Sequence, residues 1–301
     1  MVEMALLRFG PSGTLITNDP LNGLTYLVKN FPELKAFEIP FTIYQYELPV
    51  FPQRYFEKFR TICKDHGVVV SLHAPFTISL TNEKQFKSYG KKRLLKCLRI
   101  AKNFGCRVVV LHPGGYQPNI SIDDHIRIVT RNCREVMSEI SGILLGLETT
   151  GKHRQFGKLD ELLEVVSSCE GVTLVVDWAH LYARSGGRLK TNEDVIHVLE
   201  KIEEILGSDI LFDLHMHFTG VEFSIIRYPS WSLDAFTGSG GKQISESEGT
   251  EKKHLEVRSG RPSPELVLKV LKERGVGGTL ICESPLKEQD AQYLLSLYHS
   301  I

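Results

Sequence analysis

The sequence predicts a (β/α)8 TIM barrel, an α/β fold, and three observations carry that prediction. The chain has 301 residues, 42% of them hydrophobic, which is enough for one large barrel domain. Short, nearly continuous apolar runs rich in β-branched residues recur along it, which is typical of parallel strands buried on both faces. Stretches with helical periodicity separate these runs, so that strands and helices alternate in units of about 35 residues.

Eight apolar runs are assigned to strands. In chain order they cover residues 5–9, 36–39, 68–72, 107–111, 142–147, 173–177, 210–214 and 279–282. Eight periodic stretches are assigned to helices, at residues 21–30, 52–65, 82–104, 121–138, 156–168, 192–206, 264–274 and 287–299. Pro52 suits a first helical turn, and Ser121 followed by Asp124 resembles a capping box. An open doubly wound sheet is the alternative, but the turn after the first strand, GPSGT, fits its glycine-rich phosphate-binding pattern poorly.

One segment interrupts the alternation of strands and helices. We expect a single domain over residues 1–301, with a long loop insert at about 227–250 that is rich in Gly, Ser and charged residues. Its isolated aromatic residues, Trp231 and Phe236, offer little to bury. Because such excursions are commonly functional or disordered, we expect the insert to be dispensable for folding.

Composition excludes several classes of protein. Thirty-six basic and thirty-six acidic residues cancel, so any binding to nucleic acid needs a local basic face. The six cysteines form no CxxC pair, which indicates reduced thiols. No window approaches the ~18 apolar residues of a membrane helix, and the N-terminus lacks the features of a signal peptide. We therefore expect a cytoplasmic monomer with no membrane partner.

Potential metal ligands follow most of the predicted strands. They are His73, His112, Glu148, Asp177, His180, His215, His217, His254 and Glu283. In a TIM barrel the C-terminal ends of the strands share one mouth, where active sites lie, so we expect these side chains to converge. Any one of them is readily explained as a structural histidine or a paired carboxylate. Burying so many at one mouth, however, requires cations to offset their desolvation.

The number and type of these ligands predict more than one ion. Mixed histidine and carboxylate ligands suit zinc, with manganese or iron as alternatives. Four ligands usually suffice for one zinc ion, so the set predicts two or three ions with Glu148 as a bridging carboxylate. A cluster of this kind produces hydroxide at neutral pH and stabilises both oxygens of a phosphoester displacement.

As an ordered set, the strand ends resemble the endonuclease IV family of apurinic/apyrimidinic endonucleases, in the xylose-isomerase-like barrel superfamily. The matching strings are HAPF (73–76), HPGG (112–115), GLETTG (146–151), DWAH (177–180), the histidines of the strand end at 215–217, KKHLEV (252–257) and ESP (283–285). They occur in family order and cover nearly the whole chain. The resemblance implies a DNA-repair hydrolase that cuts double-stranded DNA 5′ to abasic sites with three zinc ions.

The resemblance also implies a role for each residue. His73, His112 and Glu148 would hold the first ion. Glu148, Asp177, His215 and Glu283 would hold the second, and His180 and His254 would help to hold the third. Glu148 would in addition orient the nucleophile, which makes it the catalytic residue. Two positions depart from the family, which has an aspartate at Lys252 and a tyrosine at Phe76.

Lys252 leaves the third ion short of a ligand, and the strand-seven histidines offer a substitute. Residues two apart on a strand point to the same face, with Cα atoms about 6.5 Å apart. We therefore predict that His215 binds the second ion and that His217 joins His180 and His254 at the third. Two alternatives remain open. The pair has the opposite register, or His217 bonds a loop carbonyl and the site holds only two ions.

A local basic rim is expected to contact damaged DNA. Lys152 and Arg154, with Arg184 and other basic residues, lie in predicted mouth-side loops and suit phosphate contacts. Gln155 and Phe156 are candidates to wedge into a duplex whose damaged nucleotide is flipped out. The alternatives are an ordinary solvated surface and, for Phe156, packing between helix and barrel.

Two other functions compete with DNA incision. A sugar isomerase or epimerase of the same superfamily resembles this chain at Glu148, Asp177, His215 and Glu283, where two carboxylates shuttle a proton beside a single metal. A non-incising nucleic-acid-binding or metal-binding relative is the second. The isomerase chemistry does not require His112, His180 and His254, so these extra histidines favour the multinuclear site, and the number of metal ions per chain discriminates.

Overall fold

A computed structural model describes residues 6–44, 47–226 and 248–301. Eight parallel strands form a nearly closed barrel with helices around it, which confirms the predicted fold class. The strands are β1 Leu7–Pro11, β2 Ala36–Pro40, β3 Val69–His73, β4 Val108–Leu111, β5 Leu144–Glu148, β6 Val172–Asp177, β7 Leu214–Phe218, β8 Gly220–Ile225, β9 Gly249–Leu255 and β10 Gly278–Cys282. Strands β8 and β9 pair with each other as a separate antiparallel hairpin. The other eight follow the order β1–β10–β7–β6–β5–β4–β3–β2.

Strands β1 and β2, the two ends of the strand order, meet through a few backbone hydrogen bonds and one isolated bridge. The Lys35 amide donates to the Phe9 carbonyl at 3.0 Å, and the Gly13 amide donates to the Glu38 carbonyl at 2.9 Å. Gly10 permits this close approach, because a Cβ at that position would lie 1.7 Å from the carbonyl oxygen of residue 36. The first strand therefore needs a glycine where it meets the second.

Helices cover the outside of the barrel. They are α1 Pro20–Asn30, α2 Gln53–His66, α3 Lys91–Phe104, α4 Ile122–Met137, α5 Leu159–Ser167, α6 Trp178–Arg184, α7 Asn192–Leu206, α8 Pro264–Glu273 and α9 Glu288–Ser300. Ser121 accepts the Asp124 amide at 3.1 Å and so begins α4, as its sequence predicts. The predicted helix at 82–104 is interrupted by a π-helical turn, Phe86–Gly90. Helix α6 and the β8–β9 hairpin were not predicted from the sequence.

The seventh strand begins later than the sequence predicts. The apolar residues of 210–214 form most of a 3-10 helix, Ser208–Asp213, and the strand starts at Leu214. Short apolar runs do not distinguish strands from helical turns by periodicity, which explains the error. As a consequence, His215 and His217 lie inside the strand, and His215 is one layer deeper in the barrel than His217.

Apolar side chains fill two layers of the fold. The main core packs between strands and helices, where Leu72, Leu145 and Met216 are fully buried. Alternate residues on the same strands point into the barrel. Inside it, Val108, Val110 and Val175 form a small apolar cluster. Every helix in the described ranges is too short or too polar to cross a membrane.

Most of the predicted insert at 227–250, including Trp231 and Phe236, lies outside the described residues. Its flanks are described and meet in the hairpin, where the Ile226 amide donates to the Glu248 carbonyl at 2.8 Å. We predict that replacing residues 227–247 with Asn-Gly, the dipeptide suited to a two-residue hairpin turn, leaves the fold intact. The thermal midpoint, followed by circular dichroism, should stay within about 3 °C of the full-length value, which corresponds to ~1 kcal/mol. Loss of the cooperative transition would contradict this.

Candidate metal centre

Glu148 lies at the centre of the barrel mouth, where β5 ends, and is fully buried. One carboxylate oxygen, Oε2, lies 3.1 Å from Nε2 of His73 and 3.0 Å from Nε2 of His112. The other, Oε1, lies 3.2 Å from Nδ1 of His180 and 3.3 Å from Nδ1 of His217. Each oxygen therefore faces a different pair of imidazoles.

Among the described residues, four groups of side chains at the barrel mouth bring possible ligand atoms within 4.8 Å of one another. One of them, His73, His217 and Glu283, takes its members from the first two of the three groups defined next. The first ligand group is His73, His112 and Glu148. The second ligand group is Glu148, Asp177, His217 and Glu283. The third ligand group is His180, Glu251 and His254. The first two groups share Glu148, so its carboxylate is common to both.

The second ligand group contains polar atoms that lack hydrogen bonds. Oε1 of Glu148, Oδ2 of Asp177 and Nδ1 of His217 are buried and have no hydrogen-bond partner in the described part of the chain. A buried polar atom left without a partner costs about 1–3 kcal/mol. One divalent cation bound among these atoms would satisfy all three at once, so the residues fit a metal ion.

Backbone carbonyls orient three of the histidines. His73 donates from Nδ1 to the carbonyl of the next residue at 2.9 Å, and His180 donates from Nδ1 to the Thr149 carbonyl at 2.8 Å. His254 donates from Nδ1 to the Glu283 carbonyl at 3.2 Å. In each ring Nε2 then points at a carboxylate of the site, Glu148 for His73 and Glu251 for His180 and His254. Protein metal sites commonly orient histidine ligands through the second ring nitrogen in this way.

Asp177 has two functions at the end of β6. Its Oδ1 accepts the His180 amide at 2.7 Å and begins α6 as an N-cap residue. Its Oδ2 remains available within the second ligand group. The capping bond also fixes the start of the helix that carries His180.

Charges within the site keep the carboxylates ionised. Burial raises the pKa of Glu148, but the charges of His112 and His217 outweigh burial and hold that pKa well below its usual range. Burial lowers the pKa of His73, but the hydrogen bond and charge of Glu148 outweigh it and raise the pKa to about 9. Against burial, the hydrogen bond and charge of His180 lower the pKa of Glu251 to about 2. These carboxylates are therefore in the form that binds a cation.

Glu251 is a site residue that the sequence analysis missed. Strands β8 and β9 pair Glu222 with Lys253 and Phe223 with Glu251, so Lys252 is an extra residue in a β-bulge. The bulge changes the alternation of side chains, and Glu251 reaches His180 with Oε2 3.3 Å from Nε2. Glu251 also lies beside His254, at 3.6 Å, while Lys252 is exposed. The sequence predicted that Lys252 leaves the third group short of a ligand. That prediction is wrong, because the carboxylate of Glu251, one residue earlier, lies beside His180 and His254.

The structure divides the strand-seven histidines differently from the prediction. Nδ1 of His217 lies 3.3 Å from Glu148 and 3.5 Å from Glu283, so His217 belongs with the second ligand group. His215 lies deeper, with Nε2 3.3 Å from Glu38. The predicted assignment of His215 to the second ion and His217 to the third is wrong, and the late start of β7 is the reason. Glu38, in the middle of β2, carried no strand-end signal and was also missed.

The four predicted DNA-contacting residues after β5 differ in exposure. Lys152 and Arg154 are exposed, and Gln155 is half-buried. Phe156 is fully buried and packs against Tyr116 at a ring-centroid distance of 6.0 Å. The prediction that Phe156 wedges into DNA is therefore wrong, because packing between helix and barrel removes its ring from the surface.

Arg184 also differs from its predicted place in the basic rim. Its side chain is buried and donates to the carbonyl oxygens of Lys152 at 3.0 Å and Gln155 at 2.7 Å. It therefore stabilises the loop after β5 from below. Phe76, in contrast, is 59% exposed, and its ring lies 5.3 Å from His73 and 5.1 Å from His112.

Comparisons with known proteins identify similar chains. A family model described as "Xylose isomerase-like TIM barrel" matches residues 32–298. An uncharacterized protein of Methanocaldococcus jannaschii is 30% identical over 302 residues, with 98% of both chains covered. A probable endonuclease 4 of Staphylococcus epidermidis is 25% identical over 169 residues, which is 54% of this chain and 56% of that protein. The chain therefore aligns with about half the length of this relative.

Solved structures with the same fold include proteins of two different names. Endonuclease IV from Thermus thermophilus has a TM-score of 0.68 and 18% identity, with 98% of both chains covered. A D-tagatose 3-epimerase-like protein has a TM-score of 0.65 and 18% identity, with 92% of both chains covered. At this identity the likeness concerns the fold alone.

The third ligand group predicts a contrast between two neighbouring residues. Glu251→Gln removes a charged oxygen that faces His180 and His254, whereas Lys252→Gln changes an exposed side chain. After dialysis against a fixed free zinc concentration, we expect Glu251→Gln to hold about one ion fewer than wild type, because three protein ligands are the usual minimum of a zinc site. Lys252→Gln should match wild type when metal is counted by atomic emission. Equal zinc content in both variants would refute the role of Glu251.

Proposed function

This chain belongs to the xylose isomerase-like TIM barrel family, and from that premise we propose that it is a zinc-dependent apurinic/apyrimidinic endonuclease. It would cut the phosphodiester of double-stranded DNA 5′ to an abasic site. The observation that carries the proposal is Glu148, whose two oxygens each face a different pair of imidazoles within 3.3 Å. A buried carboxylate in this position suits two neighbouring cations.

The three ligand groups support a centre of two or three zinc ions. Each offers histidine nitrogens together with carboxylate oxygens, the mixture that zinc favours and that manganese or iron also accepts. Bound ions of this kind supply a water of lowered pKa and stabilise the charge on the oxygens of a phosphoester. The partnerless atoms of Glu148, Asp177 and His217 support an ion in the second group most directly.

Residues around the mouth would bind the DNA. Lys152 and Arg154 are exposed on the loop after β5 and suit contacts with phosphates on either side of the lesion. Phe76 offers an exposed ring beside His73 and His112, where a base next to the abasic gap would stack. Glu148, held ionised by its neighbours, would orient the attacking water as a hydrogen-bond acceptor.

A single-metal sugar epimerase is the second candidate function. The likeness in fold to a D-tagatose 3-epimerase-like protein favours it, as does the second ligand group, which by itself is a complete one-metal set. In that enzyme Glu148 and Glu283 would exchange a proton with the sugar carbon. The first and third ligand groups would then have no function, which is why we prefer the endonuclease. A third candidate is a metal-binding relative that keeps all three ligand groups but does not cut DNA.

The experiment that tests the proposal is incubation of zinc-loaded protein with a duplex that contains one abasic site. We expect a single cut 5′ to the site, resolved on a denaturing gel. Glu148→Gln should lower the rate by about 10²–10⁴-fold, since a positioned acid or base contributes that much, and should also lower the zinc content. Glu164→Gln, on the exposed face of α5, is the matched control and should match wild type.

Two results would overturn the proposed endonuclease activity, and a third would refute the role of Glu148. Wild-type protein that holds about one metal ion per chain and leaves the duplex intact would favour the epimerase. Protein that binds two or three ions and abasic duplex without cutting it would favour the non-incising relative. Unchanged zinc content in Glu148→Gln would refute the bridging role of the carboxylate.

A further inference from the structure

A buried polar network lies beneath the metal centre, inside the barrel. Its central group is the carboxylate of Glu38 on β2, which is fully buried. One oxygen, Oε2, lies 2.8 Å from Oγ of Ser71, 3.3 Å from Nε2 of His215 and 3.2 Å from Nε2 of His217. Three strands, β2, β3 and β7, therefore direct polar side chains to one point in the barrel interior.

The protons in this network follow from its partners. A carboxylate only accepts, so Ser71, His215 and His217 all donate to Glu38. Because His215 donates from Nε2, its Nδ1 accepts the hydroxyl of Thr279 at 2.6 Å. With Nε2 bonded to Glu38, Nδ1 of His217 is the nitrogen that faces Glu148 and Glu283, and a bound ion would take the place of a proton there.

Glu38, His215 and His217 also lie close enough to hold an ion, but their atoms differ from those of the second ligand group. The ligand atoms that face one another here are already hydrogen-bonded to one another, to Ser71 or to Thr279. In the second ligand group three buried atoms have no partner among the described residues. The cation therefore belongs at the second group, and the Glu38 network supports it from below.

We propose that Glu38 is a positioning residue for the metal centre. It fixes His217 in the form protonated at Nε2 and aims Nδ1 into the second ligand group. His217 differs in this respect from His73, His180 and His254, which are oriented by neutral carbonyls. A carboxylate partner makes an imidazole a stronger metal ligand, and this is the arrangement known from carboxylate–histidine–metal triads.

The charge of Glu38 has a second consequence. Among the residues that the structure describes, its ion-pair partners within 4 Å are His215 and His217 alone, with no lysine or arginine. A buried carboxylate without a permanent cation is costly. A divalent ion in the second ligand group would lie one imidazole ring away and offset that cost. The charge of Glu38 therefore favours the binding of a cation to the second ligand group in particular. His215 and Ser71 hold the Glu38 carboxylate in place.

This inference rests on the metal centre of the proposed function and not on DNA as the substrate. The test compares Glu38→Gln with Ser71→Ala, using competition with a chelator to measure the affinity for each zinc ion. In Glu38→Gln, which keeps the shape and loses the charge, we expect one zinc ion to bind about 10–100-fold more weakly. In Ser71→Ala, which removes one neutral donor from the same oxygen, the change should be at most about fivefold.

The thermal stability of Glu38→Gln distinguishes a positioning role of Glu38 from a role in packing the barrel interior. The thermal midpoint of metal-free Glu38→Gln should stay within about 3 °C of the wild-type value, because glutamine keeps the side-chain volume and an acceptor oxygen for the same donors. Wild-type zinc affinity in Glu38→Gln would overturn the inference and leave the metal centre standing. A wild-type chain that binds no zinc would instead refute the proposed function, and the inference with it.

A direct measurement is available if Glu38→Gln does not fold. In zinc-loaded wild-type protein labelled with ¹⁵N-histidine, the resonances of His217, assigned by their loss in His217→Gln, report which ring nitrogen carries the proton. We expect the proton on Nε2. A proton on Nδ1 would overturn the inference, because Glu38 would then not orient the ring.

Discussion

The burial of the Glu148 carboxylate at the centre of the barrel mouth is the constraint on which the rest of the site depends. An ionised carboxylate without solvent must be compensated by hydrogen bonds or positive charge. Strands β3 and β7, the loop after β4 and helix α6 supply that compensation through His73, His217, His112 and His180 respectively. Imidazoles at these distances satisfy the carboxylate only in part, since its Oε1 has no hydrogen bond within the described ranges. A cation at this point would complete the compensation of the carboxylate.

The interior of the barrel is divided between an apolar half and a polar half. Strands β4 and β6 direct Val108, Val110 and Val175 inward, as TIM barrels usually do. The opposite side, formed by β2, β3, β7 and β10, directs Glu38, Ser71, His215 and Thr279 inward instead. This polar half lies directly beneath the candidate metal centre. The polar half contacts the candidate ligands through the hydrogen bond between Glu38 and His217.

The third ligand group depends on contacts between loops that are distant in sequence. The Glu251 amide donates to the Gly151 carbonyl at 3.0 Å and so joins the β8–β9 hairpin to the loop after β5. Gly151 must be a glycine for this contact, because a Cβ there would lie 2.8 Å from the side chains of both Glu251 and His180. Arg184 holds the same loop from below through several carbonyls. The site thus extends from the rigid strand ends onto a hairpin whose position is set by these bonds.

The sequence by itself determined the barrel and most of the residues that converge at its mouth. Parallel strands are apolar runs that the local sequence reveals, and the first polar residue after each run reaches the shared C-terminal face. The positions of His73, His112, Glu148 and Glu283 at the mouth could therefore be predicted without the tertiary structure. Tertiary structure decided the rest. The depth of His215 and His217 follows from strand pairing, in which β6 matches Val175 to His215 and Asp177 to His217, and an apolar run does not reveal where that pairing begins.

Three further residues required the folded chain for a related reason. Glu38 lies inside an apolar strand and becomes part of the network because the neighbouring strand β3 and the more distant strand β7 both bring hydrogen-bond donors to it. Glu251 faces His180 because a bulge at Lys252 reverses the alternation of β9, and a bulge is created by the partner strand. Phe156 is withdrawn from the surface by the packing of its neighbours. Local patterns fix which residues lie near the ends of strands, whereas the pairing and packing of distant segments fix which way each side chain points.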